Sequence, residues 1–256
     1  MKFSKWSGLG NDFIIIPAEE AVDFDAVRLC DRRFGIGADG VVILTPMGGN
    51  DFNMRIINSD GSEAAMCGNA SRCAAKYVSR RGMAAGRRVV LHTISREVAT
   101  EVLDDGGVRV DMGAPGDFLG RVTLRVPDRA FTAETVSMGN PHAVIFVEDI
   151  RAVELEKWGA VMERDPQFPD RCNIEFAQVL SPGRIRMRVW ERGCGVTAAC
   201  GTGSCATQVA AVRAGLTGES ADIVLDGGTL HIDYREGGHV FMTGAAEEIF
   251  TGEIEA

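Results

Sequence analysis

Apolar positions along the chain come in short runs of strand length, cut by turn-rich breaks; only a few stretches have helical length. Residues 2–6 alternate polar and apolar and residues 13–16 are continuously apolar, so both are predicted strands around the turn-rich loop 7–12. Residues 24–34 read as a short helix with Asp23 or Asp25 at its start. Strands are predicted at 41–44 and 54–58, then a turn at 58–63 and a helix at 74–80 that ends near Gly82. Three strands follow, at 89–93, 97–103 and 108–112, the last two joined by the hairpin turn Asp104-Asp105-Gly106-Gly107. Residues 113–120 are expected to cross into a second half. There the pattern predicts strands at 122–126, 132–137 and 143–147, a helix at 153–162, and strands at 174–180 and 185–191. A helix at 206–214 stops at Gly215, and strands at 223–225, 229–234 and 239–243 complete the half.

The second half echoes the first. Met66-Cys67-Gly68-Asn69-Ala70-Ser71 and Ala199-Cys200-Gly201-Thr202-Gly203-Ser204 each place a Cys-Gly pair before a predicted helix. At the same offset Met54-Arg55 falls on Met187-Arg188 and Ala65 on Ala198. Gly10-Asn11 leads an apolar run as Gly139-Asn140 does, and Met112-Gly113-Ala114 resembles Met242-Thr243-Gly244-Ala245. The period is too long for a solenoid and the order of the echoes is kept, so the chain reads as two copies of one domain. The expected lobes are residues 1–115 and 116–246, with the tail 247–256 packing back on the first.

Composition narrows the partners. At 256 residues, 45% hydrophobic and 25% charged, the chain is an ordinary globular protein. A net charge of −9 with only four lysines argues against nucleic acid or an anionic membrane surface. No secretory signal and no apolar run of membrane-spanning length is present, and seven cysteines in a chain large enough to build its own core point to free thiols in a reducing cytoplasm.

A cysteine at the mouth of a helix faces unsatisfied N–H groups and the positive end of the dipole, where a thiol pKa is expected to fall and the thiolate becomes a usable base. The cysteine spacings do not match a zinc site or a CxxC redox pair. Cys30 reads as core, and Cys73, Cys172, Cys194 and Cys205 lack a comparable setting. The remaining chemistry is acid–base: one thiolate takes a proton from one face of a carbon and one thiol delivers a proton to the other, inverting a stereocentre. The backbone N–H groups of Gly68, Asn69, Gly201 and Thr202 suit a substrate carboxylate. No cofactor and no metal is called for.

These residues resemble the diaminopimelate epimerase family over nearly the whole chain. The carriers are Gly8-Leu9-Gly10-Asn11-Asp12-Phe13, residues 58–63, Met66-Cys67-Gly68-Asn69, Gly139-Asn140-Pro141-His142, and Trp190-Glu191-Arg192-Gly193 through Ala199-Cys200-Gly201-Thr202-Gly203. The resemblance implies an α/β fold of two pseudo-symmetric domains, each a sheet rolled around a central helix, with the active site in the cleft between them. It implies a pyridoxal-independent enzyme that interconverts LL- and meso-diaminopimelate in lysine and cell-wall supply, with Cys67 and Cys200 as the acid–base pair and His142 and Glu191 assisting. Asn58, Asn140, Asn173, Glu191 and Arg192 match positions that hold the distal amino-acid head group, and Asn11 matches another site position. The partner is a small amino acid; a homodimer is compatible with the reading. The family usually has glycine where this chain has Ala70, and many members carry glutamate in place of Val196; both departures bear on the substrate. A racemase of another amino acid on the same scaffold is the alternative. A non-catalytic binding protein would need no thiols, and a phenazine-pathway-type isomerase of similar fold would lack the cysteine pair.

Overall fold

The computed structural model describes residues 1–254. The chain forms two compact units, Met1–Asp111 with the segment from Thr243 onward, and Met112–Met242. In the first the elements run β1 Lys2–Gly8, β2 Asn11–Pro17, α1 Ala26–Cys30, β3 Gly40–Gly48, β4 Asp51–Asn58, β5 Glu63–Ala64, α2 Gly68–Arg80, β6 Arg88–His92, β7 Glu97–Val102 and β8 Val108–Asp111. The second unit follows with β9 Gly116–Val126, β10 Arg129–Ser137, β11 Pro141–Phe146, α3 Leu155–Met162, β12 Asn173–Ser181, β13 Arg184–Glu191, β14 Gly195–Thr197, α4 Gly201–Arg213, β15 Ser220–Leu225 and β16 Gly228–Tyr234. The chain closes with β17 Val240–Gly244 and β18 Glu247–Glu253. Glu255 and Ala256, the end of the expected returning tail, lie outside the described residues.

Strand pairing repeats between the units. β2 runs parallel to β3 and β4 parallel to β6, with β1–β2 and β3–β4 antiparallel. The second unit has the same ladders: β11 parallel to β12, β13 parallel to β15, and β10–β11 and β12–β13 antiparallel. One substitution of chain for chain breaks the copy. In the second unit β10 is flanked by its own neighbour β9, whereas in the first the equivalent strand β1 pairs with β18 from the C-terminus. Both of these pairings carry a bulge, beside Lys5 in one and at Thr135 in the other.

Each unit wraps its strands about one helix, the expected α/β class. α2 packs on β1, β2, β3, β6, β7, β8 and β18; α4 packs on β10, β11, β12, β15 and β16. A helix enclosed on most sides must be small or apolar nearly all round. That is why α4 reads Gly-Thr-Gly-Ser-Cys-Ala-Thr-Gln-Val-Ala-Ala and buries Ser204, Thr207 and Gln208 with its alanines. The first copy buries Arg72 in α2, satisfied by the carbonyls of Ala245 at 3.2 Å and Gly8 at 3.3 Å. Outside the central helices, α1 covers β2 and β3 with Leu29 and Cys30. The ring cluster Phe131, Trp158 and Phe176 fixes α3 on the second sheet. No helix among the described residues is long and apolar enough to cross a membrane.

Elements that differ from the sequence pattern include α1, β9, α2 and α4. The helix predicted over 24–34 stops at Cys30, because the Asp31 carboxylate accepts from the N–H groups of Arg33 and Phe34, both at 2.7 Å, and turns the backbone away. β9 begins at Gly116, inside the predicted crossing; its first residues are mostly exposed and so show no apolar alternation. α2 and α4 start at Gly68 and Gly201, earlier than the apolar pattern alone suggests. Glycine, asparagine and threonine hide a helix start that the cysteine before them caps.

The β1–β2 hairpin is pinned by charge. Buried Lys5 on β1 lies 2.6 Å from Asp12 Oδ2 and donates to the Gly37 carbonyl; Arg32 reaches Asp12 Oδ1 at 2.7 Å and Asp39 Oδ1 at 2.7 Å. Burial works to raise the Asp12 pKa, but the hydrogen bonds from Arg32 and Lys5 outweigh it and hold it at about 2. A carboxylate with a depressed folded pKa contributes stability above its unfolded value of 3.8 and loses it as the pH falls through about 2. Urea melts should therefore show wild-type stability falling between about pH 4 and pH 2. Asp12→Asn, less stable at pH 6, should lack that part of the slope; identical slopes would count against the pairing. On the other unit, a Cβ at Gly159 of α3 would lie 2.6 Å from Cβ of Trp190, whose indole N–H is held at 2.8 Å by Glu163 Oε2. Gly159→Ala should lower the unfolding free energy by about 1–3 kcal/mol with an unchanged urea m-value.

Candidate active site

Both Cys-Gly pairs start a central helix in the same way. Cys67 is the N-cap of α2 (φ −145°, ψ 118°) and Cys200 the N-cap of α4 (φ −122°, ψ 111°); each helix is 13 residues long. A serine in the first turn donates back to the cysteine carbonyl in both, Ser71 to Cys67 at 2.9 Å and Ser204 to Cys200 at 2.8 Å. The extended φ/ψ of the cap turns the thiol to the mouth of the helix, where the first N–H groups have no partner within the helix.

The surroundings of the two thiols then differ. In the first unit Cys67 is half-buried, and its Sγ lies 3.8 Å from Asn11 Oδ1. That oxygen also accepts from Asn69 Nδ2 at 3.1 Å. Asn11 Nδ2 donates to Asp39 Oδ2 at 2.7 Å, so the ion-pair network of Lys5, Asp12, Arg32 and Asp39 sets the orientation of the Asn11 amide. Asn69 is buried and its Oδ1 has no hydrogen-bond partner among the described residues. Asn58, at the end of β4, donates to Ser62 Oγ at 2.9 Å within its own turn.

In the second unit Cys200 is only 5% exposed. Its Sγ accepts from the Gly203 N–H at 3.3 Å and lies 3.6 Å from Thr202 Oγ1. The helix mouth was expected to lower a thiol pKa, and here the outcome is the reverse. Burial pushes Cys200 well above 9.0, and the carboxylates of Glu191 and Glu175 push in the same direction; the Thr202 hydroxyl and Gly203 N–H pull down and lose. Glu191 is itself held above the ordinary carboxylate range by burial, with Glu175 adding, while hydrogen bonds with Thr197 and Cys200 and the nearby His142 pull the other way. His142 is wholly buried on β11, its Nδ1 2.7 Å from Glu175 Oε1 and its Nε2 3.0 Å from Asn140 Oδ1. Asn140 Nδ2 points to Thr202 Oγ1 at 3.4 Å.

Asn173 and Arg192 are bonded to each other through the backbone. The Arg192 N–H donates to Asn173 Oδ1 at 2.9 Å, and Asn173 Nδ2 donates to the Pro141 carbonyl at 2.8 Å, so this amide fastens β12 to both flanking segments. The exposed Arg192 guanidinium reaches the Asp170 carbonyl at 3.2 Å. Thus Asn11, Cys67 and Asn69 gather in one unit, and Asn140, His142, Glu191, Cys200 and Thr202 in the other. Sequence reasoning missed the supporting carboxylates. Glu175 is the single charge in β12 and interrupts the apolar run of residues 174–177, which is the signal that could have found it. Glu163 accepts from the Gly193 N–H at 2.9 Å and holds the Arg192-Gly193 turn, a role no local pattern announces. The thiols of Cys30 and Cys73 are pushed up by burial to about 11 and about 12, and that of Cys172 is raised as well, in keeping with core positions.

The model of the diaminopimelate epimerase family matches residues 3–116 and 134–249. A diaminopimelate epimerase of Pelotomaculum thermopropionicum is 48% identical, over 99% of this chain and 98% of that protein. Diaminopimelate epimerases of Synechococcus elongatus and Bacteroides thetaiotaomicron are 45% and 46% identical, each over 100% of this chain and 98% of the relative. Among solved structures, a phenazine biosynthesis protein of Bacillus anthracis superposes with a TM-score of 0.73 at 14% identity, covering 100% of this chain and 99% of that one. A hydroxyproline epimerase of Agrobacterium vitis gives 0.71 at 14% identity, covering 98% and 91%. The structural likenesses speak for the fold alone. The family model and the full-length relatives show that this chain belongs to the diaminopimelate epimerase family.

Proposed function

We propose that the protein inverts one stereocentre of diaminopimelate, interconverting the LL and meso forms without a cofactor, with Cys67 and Cys200 as the two acid–base groups. The observation that carries the reading is the pair of thiols that cap equivalent helices, in a chain of this family. In one direction the Cys67 thiolate breaks the α-C–H bond and keeps the proton. The electron pair spreads into the α-carboxylate, and the Cys200 thiol gives its proton to the opposite face. The reverse reaction exchanges the roles. Cys200 suits the proton-donor role at rest, because its burial beside Glu191 and Glu175 keeps the thiol protonated.

The N–H groups of Gly68, Asn69, Gly201 and Thr202 are proposed to hold the α-carboxylate and the charge that develops on it. Asn11, Asn58, Asn140, Asn173, Glu191 and Arg192 are proposed to serve the amino-acid groups, Arg192 taking the distal carboxylate. Glu191, at hydrogen-bond contact with Cys200, and His142, behind Asn140, assist at the thiol. The set of thiols fits a reducing cytoplasm. Relatives between 42% and 48% identical that all carry the diaminopimelate epimerase name weigh against a racemase of another amino acid.

Replacing either Cys67 or Cys200 by Ala should lower epimerisation by at least about 100-fold, since each removes one proton-transfer group. Near-normal turnover in either variant would sink the two-thiol mechanism. Arg192→Ala should lower kcat/KM for diaminopimelate by about 100-fold, and lysine should be a poor substrate for the unaltered protein because it leaves the Arg192 donors unpaired. Deuterium incorporation at the α-carbon in deuterated water reads both; comparable exchange of lysine and diaminopimelate would transfer the protein to another amino acid.

A further inference from the structure

The two units part company at one buried pair. In the equivalent parallel ladders, Phe13 opposes Gly40 as His142 opposes Asn173, and Ile15 opposes Val42 as Val144 opposes Glu175. His142 and Glu175 therefore occupy the places of Phe13 and Val42, which are buried and apolar in the first unit. Both members of the polar pair are 0% exposed, and Glu175 Oε2 has no hydrogen-bond partner among the described residues. Burying such a pair where two apolar side chains would fit carries a desolvation cost, so stability does not account for it.

The helices carry a matching change. Ala70 stands three residues after Cys67, and Gly203 stands three after Cys200. A Cβ at Gly203 would lie 2.7 Å from Glu175 Oε1 and 3.2 Å from Cys200 Sγ, so only glycine admits the carboxylate against the first turn of α4. From Glu175 a chain of contacts leads round to the thiol. It runs from Glu175 Oε1 to His142 Nδ1 at 2.7 Å and from His142 Nε2 to Asn140 Oδ1 at 3.0 Å. It continues from Asn140 Nδ2 to Thr202 Oγ1 at 3.4 Å and from Thr202 Oγ1 to Cys200 Sγ at 3.6 Å.

We propose that Glu175 is a positioning residue for Cys200: the buried anchor that holds His142, and through it Asn140 and Thr202, around the thiol, while its charge opposes thiolate formation there. The charged and titratable groups that face Cys200 in its unit are Glu175 and Glu191, with His142 between Glu175 and Asn140. The proposal rests on the reading of Cys200 as an acid–base group, but its first test needs no turnover.

The wild-type protein and Glu175→Gln are alkylated with iodoacetamide across a pH series, and the Cys200 and Cys67 peptides are followed separately by mass spectrometry. Glu175→Gln keeps the shape and a hydrogen bond to His142 but loses the charge. The midpoint for Cys200 should move to lower pH while that of Cys67 stays, and kcat for diaminopimelate should fall more than about tenfold with little change in KM. Glu175→Asp should bring the Cys200 midpoint back towards wild type. The double variant His142→Phe with Glu175→Val installs the apolar pair of the first unit; it needs no buried charge to fold and should show the same shift of Cys200. An unshifted Cys200 midpoint in a variant that melts cooperatively overturns the proposal, whether or not turnover falls. An absence of epimerase activity in the wild-type protein would instead refute the proposed function and leave the alkylation result to decide the role of Glu175.

Discussion

The first turn of a helix has N–H groups that the helix cannot satisfy, and in this chain a cysteine stands at the N-cap of both central helices, its sulfur taking one of those N–H groups, that of Gly203, in α4. Much else follows from it. The cap must be extended, so a strand or turn has to lead into it, and β5 and β14 are the short strands that do so in the two units. The helix behind the cap is enclosed by strands, so most of its buried residues are small, Arg72 and Tyr77 of α2 being large exceptions, and its first turn is held by a serine that bonds back to the cap carbonyl. Each thiol is thereby fixed at the end of a buried rod, not on a mobile loop, as the proposed proton transfer to a single carbon demands.

Duplication explains the frame, and divergence explains the chemistry. The two units share ladder order and parallel registers, and the first completes its set with β18 where the second uses β9. Around the caps the copies are unlike. Cys67 sits beside amides whose orientation is set by an ion-pair network on the β1–β2 hairpin. Cys200 sits beside two carboxylates and is more deeply buried. Ala70 and Val42 in one unit against Gly203 and Glu175 in the other show that this difference is built in volume as well as in charge.

Strand order and the two cysteine caps were legible because they rest on local signals: apolar runs, turn glycines, and a Cys-Gly pair repeated at a fixed offset. What escaped was tertiary. The stop of α1 at Cys30 depends on where the Asp31 carboxylate turns, and the early start of α2 and α4 is set by capping against their propensity-poor first residues. Within the site, Asn173 matches a ligand-binding position by sequence, but its side-chain bonds to the Arg192 N–H and the Pro141 carbonyl had no local signal. The rise of the Cys200 pKa was illegible for a related reason. The helix dipole can be read from the position of a cysteine, whereas the opposing effects of burial, Glu191 and Glu175 come from three other elements.

On the proposed reaction, that opposition is useful. An inversion by two thiols proceeds only when one is ionised and the other is not; with both protonated there is no base, and with both ionised no acid. In a symmetric pair, each thiol would ionise as readily as the other, and the half-ionised state would be split between two arrangements, one for each stereoisomer. Negative charge placed by one cap alone removes that degeneracy and loads one stereochemical direction before substrate binds. The helix dipole at each cap is equal by construction, since the helices have the same length and start, so it cannot provide the bias. The bias has to come from side chains that only one unit carries, and beside Cys200 those are the carboxylates of Glu191 and Glu175.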